Sequence, residues 1–196
     1  SHQSVMSQAA EFIKKSVSEL NLITIHLGNG ASIAAINHGQ CVDTSMGMTP
    51  LEGLIMGARP GDLDPGIFIL LQRKGWSIKE IERMLNQESG MKGLCGSNDF
   101  REILRKMDEG DAEAQMGLEL YCYRIRKSIG AYGAVLGPID ALVFTGGVGE
   151  NASLVRKESL KGLDWMGIQI NESLNKNVKI PGSIKSKESQ VEILVL

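Results

Sequence analysis

The residues best suited to chemistry lie in two glycine-rich turns, His26-Leu27-Gly28-Asn29-Gly30 and Thr145-Gly146-Gly147-Val148-Gly149-Glu150-Asn151, each preceded by a short apolar run. Lacking a Cβ, glycine lets successive backbone amides approach a ligand and point into one concavity, a geometry that holds phosphate. Two such turns far apart in the chain point to a nucleotide gripped from two sides. His26, at the end of its run, could donate to a phosphate; the plainer reading is a half-buried, satisfied histidine. Asn29-Gly30 is also a favoured type I′ hairpin pair, which needs no ligand. Gly147, Gly149 and Ala152 satisfy the G-x-G-x-x-A pattern, so dinucleotide binding is a rival, weakened because too little chain follows for the rest of such a sheet. Arg59 sits among small residues and turn formers in Met56-Gly57-Ala58-Arg59-Pro60-Gly61-Asp62-Leu63-Asp64-Pro65. Its guanidinium fork suits phosphate or carboxylate oxygens, although a lone loop arginine is usually just solvated. Asp99-Phe100-Arg101 reads on composition alone as an N-cap followed by a first-turn arginine.

These groups need an α/β scaffold, and the order of elements supplies one. Val5, Ala9, Phe12, Ile13 and Val17 have helical spacing over 5–19, ahead of a strand at Leu22–Leu27. Strands at Ala31–Ile36 and Gln40–Asp43 follow with no room for a helix, as in a hairpin or meander. Asp64-Pro65 marks a helix entry, and Ser77 with Glu80 forms a capping box, giving two helices over about 65–87. A further helix starts near Ser97–Asp99. A long one spans Ala112–Leu136, with Met116, Leu120, Tyr123, Ile129 and Leu136 expected on its core side and Gly137-Pro138 as its stop. Ala141–Phe144 reads as a strand, Ala152–Lys161 as a helix, Ile168–Ile170 as a possible strand and Val191–Leu196 as a last strand. No repeat or linker divides the chain, so one domain over 1–196 is the economical count.

Composition narrows the class. With 196 residues and 42% hydrophobic content the chain can bury a full core. Its 21 basic and 23 acidic side chains are intermixed, without the basic stripe that nucleic acid requires. Cys41, Cys95 and Cys122 are odd in number and widely spaced, so neither a disulfide frame nor a zinc site is expected, and a reducing cytoplasm fits. No run approaches the ~20 apolar residues of a membrane helix, and Ser1-His2-Gln3-Ser4 is no signal peptide. A start without methionine directly ahead of a helix, and an apolar strand at the stop, read as a fragment.

Taken together, Ile25–Gly30, Asp43-Thr44-Ser45-Met46-Gly47-Met48-Thr49-Pro50-Leu51-Glu52-Gly53-Leu54, Gly57–Pro65, Ser97–Arg101 and Phe144–Asn151 resemble, in order and spacing, the acetate kinase family. The resemblance covers nearly the whole chain. It implies an actin-like ATPase fold of the sugar kinase, Hsp70 and actin superfamily (ribonuclease H-like), with a mixed β-sheet flanked by helices. The implied activity is ATP-dependent phosphorylation of acetate to acetyl phosphate, with magnesium, in homodimers that join through this domain. The chain resembles the C-terminal, nucleotide-binding domain alone. Ser1-His2 would close a Phe-His-Gly-Thr-Ser-His run whose first histidine is catalytic and lies upstream. The N-terminal domain and the magnesium ligands would lie outside this sequence. By resemblance, His26, Leu27, Gly28, Asn29 and Gly30 contact the ATP phosphates. Asp99, Phe100 and Arg101 approach the nucleotide, and Gly146, Gly147, Val148, Gly149 and Glu150 border the adenosine. Arg59 matches the arginine that steadies the transition state. Asn98 stands where a serine often precedes Asp99, and Gly146 replaces an alanine. Propionate and butyrate kinases share this machinery. A non-catalytic nucleotide-binding and dimerising module, and a dinucleotide-dependent oxidoreductase, are the readings from other classes.

Overall fold

In the computed structural model, which describes residues 2–196, the chain forms two compact units. Ser1 of the expected family run lies outside the described residues. The first unit comprises the residues up to Gly28, Ser32–Thr44 and Cys122–Leu196; the second comprises Asn29–Ala31 and Ser45–Tyr121.

The first unit is organised by six strands: β1 (Asn21–Leu27), β2 (Ala31–Asn37), β3 (Gln40–Thr44), β4 (Ala141–Thr145), β5 (Gly182–Ser183) and β6 (Glu192–Val195). Their order is β3-β2-β1-β4-β6-β5. β1 runs parallel to β4, and β4 parallel to β6, whereas β2 with β3 and β5 with β6 are antiparallel. Every residue of β4 is buried, as suits a strand covered on both faces, and its sequence Ala-Leu-Val-Phe-Thr shows no polar alternation. α1 (His2–Ile13) packs on one face, where Ala9, Ala10, Leu20, Leu22, Ile36, Ala141, Val143 and Leu194 make a common cluster. The helix is shorter than its spacing promised. Lys14 takes φ +60, which a right-handed helix cannot continue, and a new cap at Ser16 starts a single 3₁₀ turn over Val17–Glu19.

The second unit is mainly helical: α2 (Gly66–Arg73), α3 (Ile78–Gln87), α4 (Gly90–Cys95), α5 (Phe100–Asp108) and the start of α6 (Ala112–Leu136). The Ser77/Glu80 capping box is formed in both directions at α3. Asp64 also caps as expected, its Oδ1 accepting from Gly66 N at 2.8 Å, with Pro65 one position outside the helix. α4 has no counterpart in the sequence reading. Phe100 stacks at a tilt on Tyr121, with ring centroids 4.7 Å apart, inside a core that includes Leu54, Met56, Leu85, Met91 and Ile103.

The core side of α6 differs from expectation. Ile129 and Leu136 are buried as expected, but Met116, Leu120 and Tyr123 are exposed, and Ala114, Leu118, Tyr121, Cys122, Ile125 and Tyr132 take the inward positions. Both sets have helical spacing on a helix that is apolar on more than one face, so periodicity alone could not choose between them. The glycine turn after β4 is itself helical, forming α7 (Gly146–Asn151), and α8 (Ser153–Leu160) follows. Ile168–Ile170 makes only one isolated bridge, Ile170 with Lys185, and the short α9 (Glu172–Lys176) comes next.

Candidate functional site

Within the first unit, the carboxyl ends of parallel β1 and β4 lie side by side, with His26 in register opposite Thr145. The exposed imidazole places Nδ1 2.9 Å from Thr145 Oγ1. This is where open α/β sheets bind ligands. Leu27 is fully buried, so only its backbone can meet a ligand. Gly146 has φ +81, and a Cβ there would sit 2.6 Å from Leu27 O and 3.0 Å from His26 Cε1. Glycine therefore lets β1 and the start of α7 approach here without strain, and a Cβ would have to shift the backbone. Gly146 N donates to Glu150 Oε1 at 3.1 Å, and Asn151 Nδ2 to Gly147 O at 2.8 Å, so the helix fastens its own first turn. Gly147 is open, with nothing within 4 Å of where a Cβ would stand. Val148 is half-buried and Gly149 buried.

Arg156 on α8 braces this segment, and sequence reasoning gave no sign of it. The residue is only 1% exposed, and its Nη1 donates to Gly149 O and Glu150 O at 2.7 and 2.9 Å. Its Nε and Nη2 donate to Asn175 Oδ1 and O at 2.7 and 2.6 Å. Burial pushes the guanidinium pKa down to about 10, so it stays charged at neutral pH and holds the carbonyl end of α7 against α9. His2 was known only as part of a family run. Its ring lies 2.7 Å from Thr24 Oγ1 through Nδ1 and 2.9 Å from Ser32 Oγ through Nε2. Burial first, and the neighbouring His26 second, hold its pKa below the ordinary value.

Within the second unit, Asn29 and Gly30 are not the type I′ pair that their sequence allows. Neither takes the positive φ such a turn demands; His38-Gly39, with φ 47 and 84 between β2 and β3, does. Asn29 is instead tied to two neighbours, its backbone O accepting from Gly57 N at 2.9 Å and its Oδ1 from Asn98 Nδ2 at 3.2 Å. The unusual Asn98 thus has a structural use. Arg59 Nη1 donates to Pro50 O at 2.8 Å, and Nη2 lies 3.2 Å from where a Cβ on Gly30 would be. Asn29, Gly30 and Arg59, distant in sequence, are neighbours here.

Asp99 caps α5, with Oδ1 accepting from Arg101 N at 2.9 Å and Arg101 Nε at 3.0 Å, while Oδ2 accepts from Nη2 at 2.6 Å. Arg101's side-chain hydrogen bonds hold the Asp99 carboxyl down to about 2. Phe100 points into the core. Among the described residues no group of three or more His, Cys, Asp or Glu side chains is placed to hold a metal.

Comparison with known proteins accords with this geometry. The sequence model of the acetokinase family matches residues 1–196. Acetate kinases of Sulfurovum sp. and Syntrophobacter fumaroxidans are 52% and 50% identical to this chain over all of it, which is 50% and 48% of their own lengths. Among solved structures, acetate kinase from Porphyromonas gingivalis superimposes with a TM-score of 0.96 at 41% identity, covering the whole chain and 50% of that structure. A propionate kinase from Francisella tularensis gives 0.93 at 43% identity, again over the whole chain and 50% of its own. The chain thus spans about half the length of the relatives it matches. The mixed sheet flanked by helices is the architecture expected from the resemblance. With its glycine turns set at the strand ends and matched along its entire length, the chain belongs to the acetokinase family.

Proposed function

We propose that this chain is the nucleotide-binding, C-terminal half of an ATP-dependent acetate kinase that reversibly forms acetyl phosphate and ADP. The observation that carries the reading is the pairing of His26 with Thr145 at the shared carboxyl ends of β1 and β4, beside a glycine that permits backbone close approach. In this reading His26–Gly30 contact the ATP phosphates, Gly146–Glu150 border the adenosine, and Asp99–Arg101 approach the nucleotide. Acetate is ionised near neutral pH and needs no base. Its oxygen attacks the γ-phosphorus, the new P–O bond forms as the bridging P–O bond breaks, and ADP leaves with that electron pair. Negative charge grows on the equatorial phosphoryl oxygens, and the Arg59 guanidinium stabilises it more as it develops. Magnesium belongs to the proposed enzyme, with ligands supplied from outside this chain.

The finer assignments have their own support. A homodimer through this domain would cover α2, which has no buried residue and exposes Phe68, Ile69 and Leu70. The free thiols of Cys41, Cys95 and Cys122 accord with a cytoplasmic location. Among the described residues no helix is long and apolar enough to cross a membrane. A second acyl substrate, propionate, is favoured by the similarity to the Francisella propionate kinase.

The test is a hydroxamate assay on the complete gene product with ATP and acetate. Arg59→Ala should lower turnover by about 10²-fold, the scale of losing one transition-state charge donor, with ATP affinity little changed. Undiminished turnover would refute the role of Arg59.

A further inference from the structure

The segment carrying Arg59 has neither helix nor strand, yet backbone hydrogen bonds fix it on both sides. Three amides at the start of α4 reach three of its carbonyls: Ser89 N to Ala58 O at 3.0 Å, Met91 N to Met56 O at 2.9 Å and Lys92 N to Gly57 O at 2.8 Å. The turn also closes on itself, Met56 N donating to Arg59 O at 3.0 Å. Met56 and Met91 are fully buried beside it. The amides that a helix leaves without intrahelical acceptors are thus consumed by the loop, which gains an anchor in return.

Gly90 stands at the centre of this contact with φ +60. A Cβ there would lie 2.2 Å from Met56 O, 2.5 Å from Arg59 O and 2.9 Å from Arg59 N. All three obstructing atoms are backbone and cannot rotate aside. Any L side chain at position 90 must therefore push the Met56–Arg59 turn away from α4. We propose that Gly90 is a positioning residue for Arg59: its missing Cβ lets the start of α4 clamp the turn and so sets where the guanidinium stands. This rests on the reading of Arg59 as the transition-state arginine. A displacement of about 1 Å is enough to cost on the order of 10²-fold in rate when the reacting geometry is lost.

The experiment is a double-mutant cycle in the complete gene product. Gly90→Ala should lower kcat for acetyl phosphate formation by about tenfold or more while leaving KM for ATP nearly unchanged. Adding it to Arg59→Ala should cost nothing further, because both act through one guanidinium. Gly75→Ala is the control: Gly75 also has positive φ, at +89, but nothing lies within 4 Å of its Cβ position, so backbone strain without a clash should leave kcat near the parent value. Parent-like turnover in folded Gly90→Ala, or losses that multiply with Arg59→Ala, would overturn the proposal. Amide exchange in the unmodified protein tests the clamp without activity. Gly57, Met91 and Lys92 should exchange about 10²-fold more slowly than amides around the fully exposed Met48 side chain. Exchange at the open-loop rate would overturn the clamp even if Gly90→Ala fails to fold. Normal turnover in Arg59→Ala with these amides protected would instead defeat the reading of Arg59 on which the proposal rests.

Discussion

Asp99 and Arg101 are joined by two side-chain hydrogen bonds, Nε to Oδ1 and Nη2 to Oδ2. The Arg101 side chain is 92% exposed, so the guanidinium has room to swing while Asp99 keeps capping α5. The N-cap and first-turn arginine were legible in Ser97–Arg101 because capping is local chemistry. The Arg156 brace was not legible, because its acceptors are backbone carbonyls and Asn175, a residue without a charge to mark it. His2 gives a residue-level prediction. Its folded pKa lies below the ordinary 6.5, lowered first by burial and then by the charge of His26. Between those two values the unfolded chain takes up a proton that the folded chain refuses. The contribution of His2 to stability is therefore whole above 6.5 and is lost as pH falls toward the folded pKa. Urea midpoints should drop on acidification from about pH 7.5 to 5, and His2→Gln should flatten that drop. Identical pH profiles for parent and variant would show that the imidazole is not held neutral.

At the scale of elements, α7 and α8 depend on Arg156 for more than packing. Removing the guanidinium strands Gly149 O, Glu150 O and Asn175 in a buried setting. Arg156→Met should therefore cost about 3 kcal/mol or more, and Arg156→Lys should recover only part of it, because an ammonium cannot span the same fork of acceptors. Denaturant melts of the three proteins check this; an unchanged midpoint in Arg156→Met would contradict it. Elements announced by caps and by β-branched runs were readable from sequence, among them β1, β4, α3 and the stop of α6. Where the deciding contact is distant the reading failed. α4 is short and takes its acceptors from Met56–Ala58, and the start of α7 at Gly146 lies in close approach to Leu27 O. Asn29-Gly30 does join the neighbouring strands β1 and β2, but not through the type I′ turn that the pair favours, because Asn29 is tied to Gly57 and Asn98 instead.

At the scale of the whole molecule, the acetokinase family matches the chain along its whole length, but the chain spans only about half the length of its relatives. The acyl preference was never legible here. Acetate and propionate differ by one methylene, which a pocket discriminates by about 1–3 kcal/mol through apolar contacts, and no residue of the glycine turns speaks to that. In the proposed function the glycine turns bind the nucleotide, a step that can be measured apart from the chemistry. The most direct measurement is a calorimetric titration of ADP into the 196-residue chain, paired with a hydroxamate assay on the same sample. The account predicts saturable one-site binding without acetyl phosphate formation. No binding at millimolar ADP, or acetyl phosphate made at the rate of a complete acetate kinase, would contradict it.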